Sequence, residues 1–218
     1  MTNLYRKQIK AVIFDLDGVI VSTDNLHYKG WKKVAEEEQI YFDEIINNRL
    51  RGVSRMESLE ILLENSKKEY SPEEKMALAE RKNSNYVELL ASLTPDNILP
   101  GVNEVLKGLK RKDIQVAIGS SSKNTANILK KIALFEAFDA IADGNDIKHS
   151  KPNPEVFLVA SKKLGIPPEY CVVVEDAVAG IQAAINADMT NVAVGDAKGY
   201  ELADYSIDSI NQLLDIVI

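Results

Sequence analysis

The sequence has a single cysteine, no excess of basic residues and no long apolar run, and each scarcity excludes a class of protein. Cys171 is the only cysteine in the 218 residues, so no disulfide forms within the chain. Its apolar neighbours, Val172 to Val174, favour a packed, reduced thiol. The formal net charge is −7, whereas nucleic-acid-binding proteins usually carry a basic surface. We therefore expect no nucleic-acid partner.

The apolar segments are too short to span a bilayer, and the N-terminal stretch MTNLYRKQIK lacks the apolar centre of a signal peptide. We therefore expect a cytoplasmic protein with no membrane partner. The acidic net charge does not exclude a phosphorylated small molecule, because a metal ion and a few cations can reverse the field inside a cleft. No internal repeat or low-complexity tract is present.

What the sequence does contain is an alternation of helix and strand patterns. Short apolar runs predict strands at 11–14, 115–118, 140–142, 171–174 and 192–194. Amphipathic segments between them predict helices at 102–112, 123–132, 154–164 and 176–187. This alternation is typical of an α/β fold, a doubly wound parallel sheet with a Rossmann-like core. The segment at 207–216 is mixed.

The section between the first two strands is helical and contains no convincing strand. Helix patterns cover 27–38 and 54–65, and Ser71-Pro72-Glu73-Glu74 starts a helix that runs to about residue 90. A connector rich in Pro, Gly, Asn and Asp follows at 94–101. The sequence thus predicts a helical cap at 23–95, inserted into an α/β catalytic core at 1–22 and 96–218.

Two carboxylates follow the first strand at the point where it ends. Asp15 and Asp17 are two residues apart, so in an extended segment both face the crevice beyond the strand's carboxyl end. Such a pair suits Mg²⁺, which prefers oxygen ligands, and Gly18 permits the sharp turn that follows. Alternatively, the two aspartates only start a turn, where aspartate is common.

Polar residues also follow three later predicted elements. The small hydroxyl residues from Ser120 to Asn124 precede a helix and suit a phosphate, or they only cap that helix. Lys151 lies in a loop at the same edge of the sheet, where it offsets negative charge or is simply solvated. Glu175 and Asp176 follow a buried strand and complete a metal site or cap a helix.

The order of these features, DxDG, then Ser, then Lys, then Glu-Asp, resembles the haloacid dehalogenase superfamily. Within it, the cap stretch Leu50 to Arg55 with Ser58, and the stretch Arg81 to Tyr86, resemble the β-phosphoglucomutase family. That resemblance implies Mg²⁺-dependent interconversion of β-D-glucose 1-phosphate and D-glucose 6-phosphate. The implied intermediates are an aspartyl phosphate on the enzyme and β-glucose 1,6-bisphosphate.

The resemblance also implies the roles of the core residues. Asp15 is the implied nucleophile, Asp17 the general acid and base, and Ser120 with Lys151 binds the transferring phosphoryl group. Asp17 must then be protonated for part of the cycle, which a site away from the metal favours. The implied metal ligands are Asp15, the backbone carbonyl of Asp17, Asp176, and Glu175 at or near the ion.

A further set of residues is implied to hold the substrate. Gly52, Val53, Ser54 and Arg55 grip the non-transferring phosphate from the cap, and Ser122, Lys123 and Asn124 hold it from the core. His27, Trp31, Arg51, Ser58 and Lys82 line the sugar or control closure. From the residues alone, a tryptophan is more often a core residue, and cations on a helical module are more often solvated.

Three alternatives stay open at this point. A sugar-phosphate phosphatase of the same superfamily would use water as the acceptor. A receiver-type signalling domain also phosphorylates an aspartate on a doubly wound sheet, although it would leave the helical insertion and Asp17 without a role. A catalytically silent sugar-phosphate binder is the third. For the function that the resemblance implies, we expect a monomer whose partner is a small-molecule sugar phosphate.

Overall fold

A computed structural model describes residues 8–50 and 53–218 of the chain, and its centre is one parallel sheet of six strands. The strands are β1 (Ala11–Phe14), β2 (Gln115–Gly119), β3 (Ala140–Ala142), β4 (Cys171–Glu175), β5 (Thr190–Ala193) and β6 (Tyr205–Ser206). Their order across the sheet is β3-β2-β1-β4-β5-β6, and every neighbouring pair is parallel. Strand β1 is central, so Phe14 is in register with both Ile118 and Val174.

Helices cover both faces of this sheet. The described helices are α1 (Asp24–Glu37), α2 (Glu44–Asn48), α3 (Arg55–Leu63), α4 (Pro72–Leu90), α5 (Val102–Lys110), α6 (Thr125–Lys131), α7 (Glu155–Leu164), α8 (Val178–Asn186) and α9 (Leu213–Val217). Alternate residues of β1 enter different apolar clusters. Val12 and Phe14 pack with residues of α5, α6 and α9, whereas Ala11 and Ile13 pack with residues of α7 and α8. Burial on both faces explains why β1 is wholly apolar.

The helical cap consists of α1 to α4 and lies in the chain between β1 and β2. It has an apolar cluster of its own, which includes Trp31, Leu59 and Leu78. The end of α4 differs, because Tyr86 and Leu90 pack with the cluster on the α5 face of the sheet. The fold class is therefore as predicted, and the exact domain boundaries at 22/23 and 95/96 stay a prediction.

Both predicted cap helices with serine starts are confirmed. The side chains of Ser54 and Ser71 each accept a hydrogen bond from the backbone N–H three residues further on. The residue at that position is a glutamate, whose side chain accepts from the backbone N–H of the serine. These are capping boxes, which satisfy backbone N–H groups at the helix N-terminus.

Some predicted boundaries were wrong. The helix predicted from 176 begins at Val178, because Ala177 is extended and its N–H donates to the Glu175 carboxylate over 3.0 Å. The helix predicted from 123 begins at Thr125, since a turn in which Ser122 accepts from Asn124 precedes it. The helix predicted from 27 begins at Asp24, and neither α2 nor β6 was predicted.

The cysteine lies where its apolar neighbours indicate. Cys171 is a free, fully buried thiol in β4, and burial raises the pKa of that thiol to about 11. Within the described residues, no helix combines the length and apolar character needed to cross a membrane.

Candidate active site

The carboxyl ends of the parallel strands open into a cavity of about 700 Å³ between the core and the cap. Every candidate residue within the described ranges lines it. These residues are Asp15, Asp17, His27, Trp31, Val53, Ser54, Arg55, Ser58, Lys82, Ser120, Ser122, Lys123, Asn124, Lys151, Glu175 and Asp176. Arg51 and Gly52 lie outside the described residues.

Three carboxylates meet at the sheet edge. Oxygen atoms of Asp15, Glu175 and Asp176 all lie within 4.8 Å of one another. Gly18, with φ +81°, makes this approach possible, because a Cβ atom there would lie 1.9 Å from Oδ2 of Asp176. Hard oxygen donors crowded this closely fit a divalent cation such as Mg²⁺. Burial and the neighbouring carboxylates raise the pKa of Asp176 to about 8.

Lys151 supplies the balancing positive charge. It is 2% exposed, and its Nζ donates to both Asp15 and Glu175. Burial alone would lower the pKa of this lysine, but the two carboxylates raise it above its usual value, so Lys151 stays charged. Burial raises the pKa of Glu175, and the lysine opposes that rise.

The position of Glu175 depends on its neighbour in α8. A Cβ atom on Gly180 would lie 1.9 Å from Oε1 of Glu175, so only glycine leaves room for this carboxylate. The close approach holds Glu175 against the N-terminal end of α8 and directs it towards Lys151.

Asp17 has a different environment from the three clustered carboxylates. Its Oδ1 accepts from the backbone N–H of Thr23 over 2.6 Å, and its Oδ2 accepts from the Thr23 hydroxyl. Burial raises the pKa of Asp17 to about 7, although the Thr23 hydrogen bonds oppose the rise. His27 Nε2 lies 3.7 Å from the same carboxylate. Asp17 is thus poised to exchange a proton near neutral pH.

The cap side of the cavity is built around a buried lysine. Lys82 is 3% exposed, and its Nζ lies 2.7 Å from Nδ1 of His27. The same atom lies 5.2 Å from the centre of the Trp31 ring and 4.5 Å from that of Tyr86. Burial, together with the charge of Arg55, lowers the pKa of Lys82 to about 7.

The pKa of His27 changes in the same direction. Burial and the charges of Lys82 and Arg55 lower it well below its usual value. At neutral pH His27 is therefore an uncharged imidazole, whose Nδ1 can accept a hydrogen bond from Lys82.

A second group of donors lies where the cap meets the core. Arg55 donates to Oδ1 of Asn83 over 2.7 Å, and Asn124 donates to the same oxygen over 3.0 Å. Arg55 also lies 3.6 Å from the carboxylate of Glu80, which is mostly exposed. Donors from α3 and from the loop before α6 therefore converge on one point.

The serine residues make local contacts as well. Ser120 is buried and its hydroxyl accepts from the backbone N–H of Ser122 over 3.2 Å. Ser54 caps α3, and Ser58 in the first turns of that helix is buried. Trp31 lines the cavity and also belongs to the apolar cluster of the cap, so both interpretations of this tryptophan apply.

Three polar residues with evident contacts in the site were given no role from the sequence. Thr23 and Tyr86 share a hydrogen bond of 2.9 Å beside Asp17, and the Tyr86 ring lies against His27 with a centroid distance of 4.1 Å. Asn83 joins the donors described above. One sequence signal could have pointed to Asn83 and Tyr86: polar residues surround Lys82 in a helix that also contributes Leu78 and Leu90 to apolar clusters.

Comparisons with known proteins agree on one superfamily. A haloacid dehalogenase-like hydrolase family model matches residues 9–188. The chain is 41% identical over 207 residues to the β-phosphoglucomutase of Bacillus subtilis, covering 94% of this chain and 92% of that protein. It is 34% identical to a phosphorylated carbohydrates phosphatase of Thermotoga maritima, with 84% of each chain covered.

A solved structure gives the same result. The crystal structure of β-phosphoglucomutase from Clostridium difficile is similar with a TM-score of 0.89 and 43% sequence identity. The similarity covers 94% of this chain and 93% of that one. The family model, the sequence relatives and the shared architecture together place the chain in the haloacid dehalogenase-like hydrolase family.

Proposed function

We propose that this protein is a Mg²⁺-dependent mutase that interconverts β-D-glucose 1-phosphate and D-glucose 6-phosphate through β-glucose 1,6-bisphosphate. One observation carries the proposal: a single cavity holds two sets of side chains that can donate hydrogen bonds to a phosphate. Lys151 and Ser120 accompany Asp15, and Arg55 with Asn124 forms the second set. A mutase must hold a phosphate at each end of the sugar, whereas a phosphatase needs to hold only one. Similarity to the B. subtilis β-phosphoglucomutase supports this assignment.

Asp15 is the proposed nucleophile. Its carboxylate attacks phosphorus and becomes an aspartyl phosphate, while the bond from phosphorus to the sugar oxygen breaks. Charged Lys151, in direct contact with Asp15, offsets the repulsion between carboxylate and phosphate. The carboxylates of Asp15, Glu175 and Asp176, with the backbone carbonyl of Asp17, would hold Mg²⁺. Bound there, the ion would supply further neutralisation of the phosphoryl oxygens.

Asp17 is the proposed acid and base. In its protonated form it gives a proton to the departing sugar oxygen, and as a carboxylate it later takes one from the incoming hydroxyl. A pKa of about 7 populates both forms at neutral pH. The contacts with Thr23 hold the carboxyl group away from the three-carboxylate cluster, so that one aspartate serves as nucleophile and the other as proton carrier.

The remaining candidates are proposed to bind the substrate. Arg55 offers the bidentate geometry that suits a phosphate. Ser122, Lys123 and Asn124 approach the same phosphate from the core, with Val53 and Ser54 on the cap side. His27, Trp31, Ser58 and Lys82 face the sugar. Arg51 and Gly52 keep their proposed roles in the cap.

A sugar-phosphate phosphatase is the second candidate. Its support is the 34% identity to the T. maritima phosphorylated carbohydrates phosphatase. In that case water would replace the sugar hydroxyl as acceptor, and Arg55 would bind a phosphate that is never transferred. For both candidate functions we propose that the protein acts on a small-molecule sugar phosphate. We further propose that it works as a monomer in the cytoplasm.

Phosphorus NMR separates the two candidates. The protein, with Mg²⁺ and β-glucose 1-phosphate, is followed with and without β-glucose 1,6-bisphosphate as primer. A mutase gives glucose 6-phosphate, faster with primer, whereas a phosphatase gives inorganic phosphate.

The variant Arg55→Ala tests the second phosphate site. We expect isomerisation to fall about a hundredfold, since a charge-assisted pair to phosphate is lost. Arg49→Ala is the matched control, because Arg49 pairs with Glu64 on the cap surface and does not line the cavity. Unchanged isomerisation in Arg55→Ala would show that the second phosphate binds elsewhere.

A further inference from the structure

Asn83 lies at the meeting point of the two donors that we assign to the non-transferring phosphate. Its Oδ1 accepts from Arg55 of α3 over 2.7 Å and from Asn124 of the core over 3.0 Å. Asn83 itself belongs to α4, so one side-chain oxygen ties together two cap helices and the loop before α6. All three residues line the cavity.

Apart from the hydrogen bond to Asn83, the side chain of Arg55 is only weakly restrained. Arg55 has a 3.6 Å contact with Glu80, whose side chain is 70% exposed, and such surface pairs restrain little. Asn124 lies in the loop that ends at α6. An arginine side chain that is not held in one rotamer loses conformational entropy when it binds phosphate. A shared acceptor removes much of that cost before the ligand arrives.

We propose that Asn83 is a positioning residue that holds Arg55 and Asn124 ready for the second phosphate of a sugar bisphosphate. The carbonyl oxygen of Asn83 gives both donors one common acceptor, as a phosphate oxygen would. Asn83 thereby favours ligands with two phosphates over ligands with one. This inference rests on the proposed function, since it takes Arg55 and Asn124 as the grip on the non-transferring phosphate.

The variant Asn83→Leu removes the acceptor at similar side-chain size. The matched control is Asn85→Leu, in the same helix, where Asn85 accepts from Lys33 over 2.9 Å and does not line the cavity. Affinity for β-glucose 1,6-bisphosphate is measured by titration calorimetry. Each protein also carries the substitution Asp15→Asn, which is expected to block turnover during the titration. We expect Asn83→Leu to weaken binding about tenfold, and Asn85→Leu to leave it unchanged.

Acetyl phosphate, which has one phosphate, supplies the second readout. With Asp15 intact, we expect Asn83→Leu to leave kcat/KM for acetyl phosphate hydrolysis unchanged, because that ligand needs only the site at Asp15. A structural role for Asn83 would lower both readouts together, and that result would overturn the proposal. Unchanged bisphosphate affinity would overturn it as well.

The outcomes separate this inference from the proposed function. If the protein does not isomerise glucose phosphates but Asn83→Leu still weakens bisphosphate binding selectively, the proposed mutase function fails and the role of Asn83 stands. If the protein isomerises glucose phosphates but Asn83→Leu leaves bisphosphate affinity unchanged, the mutase function stands and the proposed role of Asn83 fails. Asn83→Ser, whose hydroxyl is too short to reach both donors, replaces Asn83→Leu if the leucine variant does not fold, with the same expected loss.

Discussion

The backbone N–H of Thr23 donates to the Asp17 carboxylate over 2.6 Å, and the Thr23 hydroxyl donates to its other oxygen. Thr23 immediately precedes α1, the first helix of the cap. The proposed acid and base is therefore attached to the point where the chain leaves the core.

The pKa of about 7 for Asp17 predicts opposite pH dependences for the two half-reactions. Phosphorylation of Asp15 by β-glucose 1,6-bisphosphate needs protonated Asp17, so its rate should be constant below pH 7. Above pH 7 it should fall about tenfold per pH unit. Transfer back to the sugar needs the carboxylate and should fall below pH 7. Rapid-quench single turnovers measure each step.

Acetyl phosphate provides the control for this profile. Its leaving group is acetate, which departs without a proton, so phosphorylation of Asp15 by acetyl phosphate should not share the decline above pH 7. Parallel profiles for the two donors would argue against Asp17 as the acid.

Burial of Lys82 is expected to lower the free energy of unfolding by an amount that depends on pH. The titratable groups that face it are His27, Arg55, Asp17 and Tyr86. Its folded-state pKa of about 7 lies below the usual 10.5. Below pH 7 Lys82 is charged in both states, and the full cost of its burial opposes folding. That cost shrinks as the pH rises from 7 to 10.5.

The variant Lys82→Met removes this cost. We expect it to raise the free energy of unfolding by a few kcal/mol at pH 6.5, and by less than about 1 kcal/mol near pH 10. Urea denaturation at several pH values measures the difference. Lys33→Met, at an exposed lysine of α1, should show no such trend. A constant difference for Lys82→Met across the pH range would contradict the prediction.

Gly18 predicts a defect in metal binding. The variant Gly18→Ala places a Cβ atom 1.9 Å from Oδ2 of Asp176 and must displace that carboxylate. We expect Mg²⁺ or Mn²⁺ affinity, measured by calorimetry, to fall by roughly ten- to a hundredfold.

The matched control for Gly18 is Gly199→Ala. Gly199 has φ +82°, close to the +81° of Gly18, but a Cβ atom there meets nothing within 4 Å. Both variants pay the backbone cost of a positive φ, about 1 kcal/mol. Only Gly18→Ala should weaken metal binding, and equal losses in the two variants would assign the effect to the backbone.

Lys151 predicts a strong dependence of stability on charge pairing. The variant Lys151→Met leaves Asp15 and Glu175 buried without their cation, and we expect the free energy of unfolding to fall by roughly 3–5 kcal/mol. The double variant Lys151→Met/Glu175→Gln should recover much of this loss while remaining inactive. Urea denaturation with a chelator present measures both. Equal instability of the single and double variants would contradict the charge argument.

The sequence was sufficient for the fold and for the location of the candidate site, because both depend on local signals. Apolar runs marked the central strands, and Ser71-Pro72 marked the start of α4. The polar residues after β1, β2 and β4 necessarily meet at one edge of a parallel sheet. The roles of Arg55 and Lys82 came from family resemblance and stay predictions, because cations on helices carry no local sign of where they point.

The contacts that depend on three-dimensional proximity were not predictable. Asn83 and Asn124 are far apart in the chain, and only the packing of α4 against the core brings them together. The start of α8 at Val178 was missed for a different reason, since Glu175 accepts from the backbone N–H of Ala177, which is extended. This local hydrogen bond between side chain and backbone competes with a helix start at Asp176.

The most direct test is to find the residue that carries the phosphoryl group. The protein, mixed with Mg²⁺ and β-glucose 1,6-bisphosphate, is quenched in acid, digested and mapped by mass spectrometry. We expect one phosphoryl group on Asp15, and neither phosphorylation nor isomerisation in the Asp15→Asn variant. A phosphoryl group on another residue, or normal turnover by Asp15→Asn, would contradict the account.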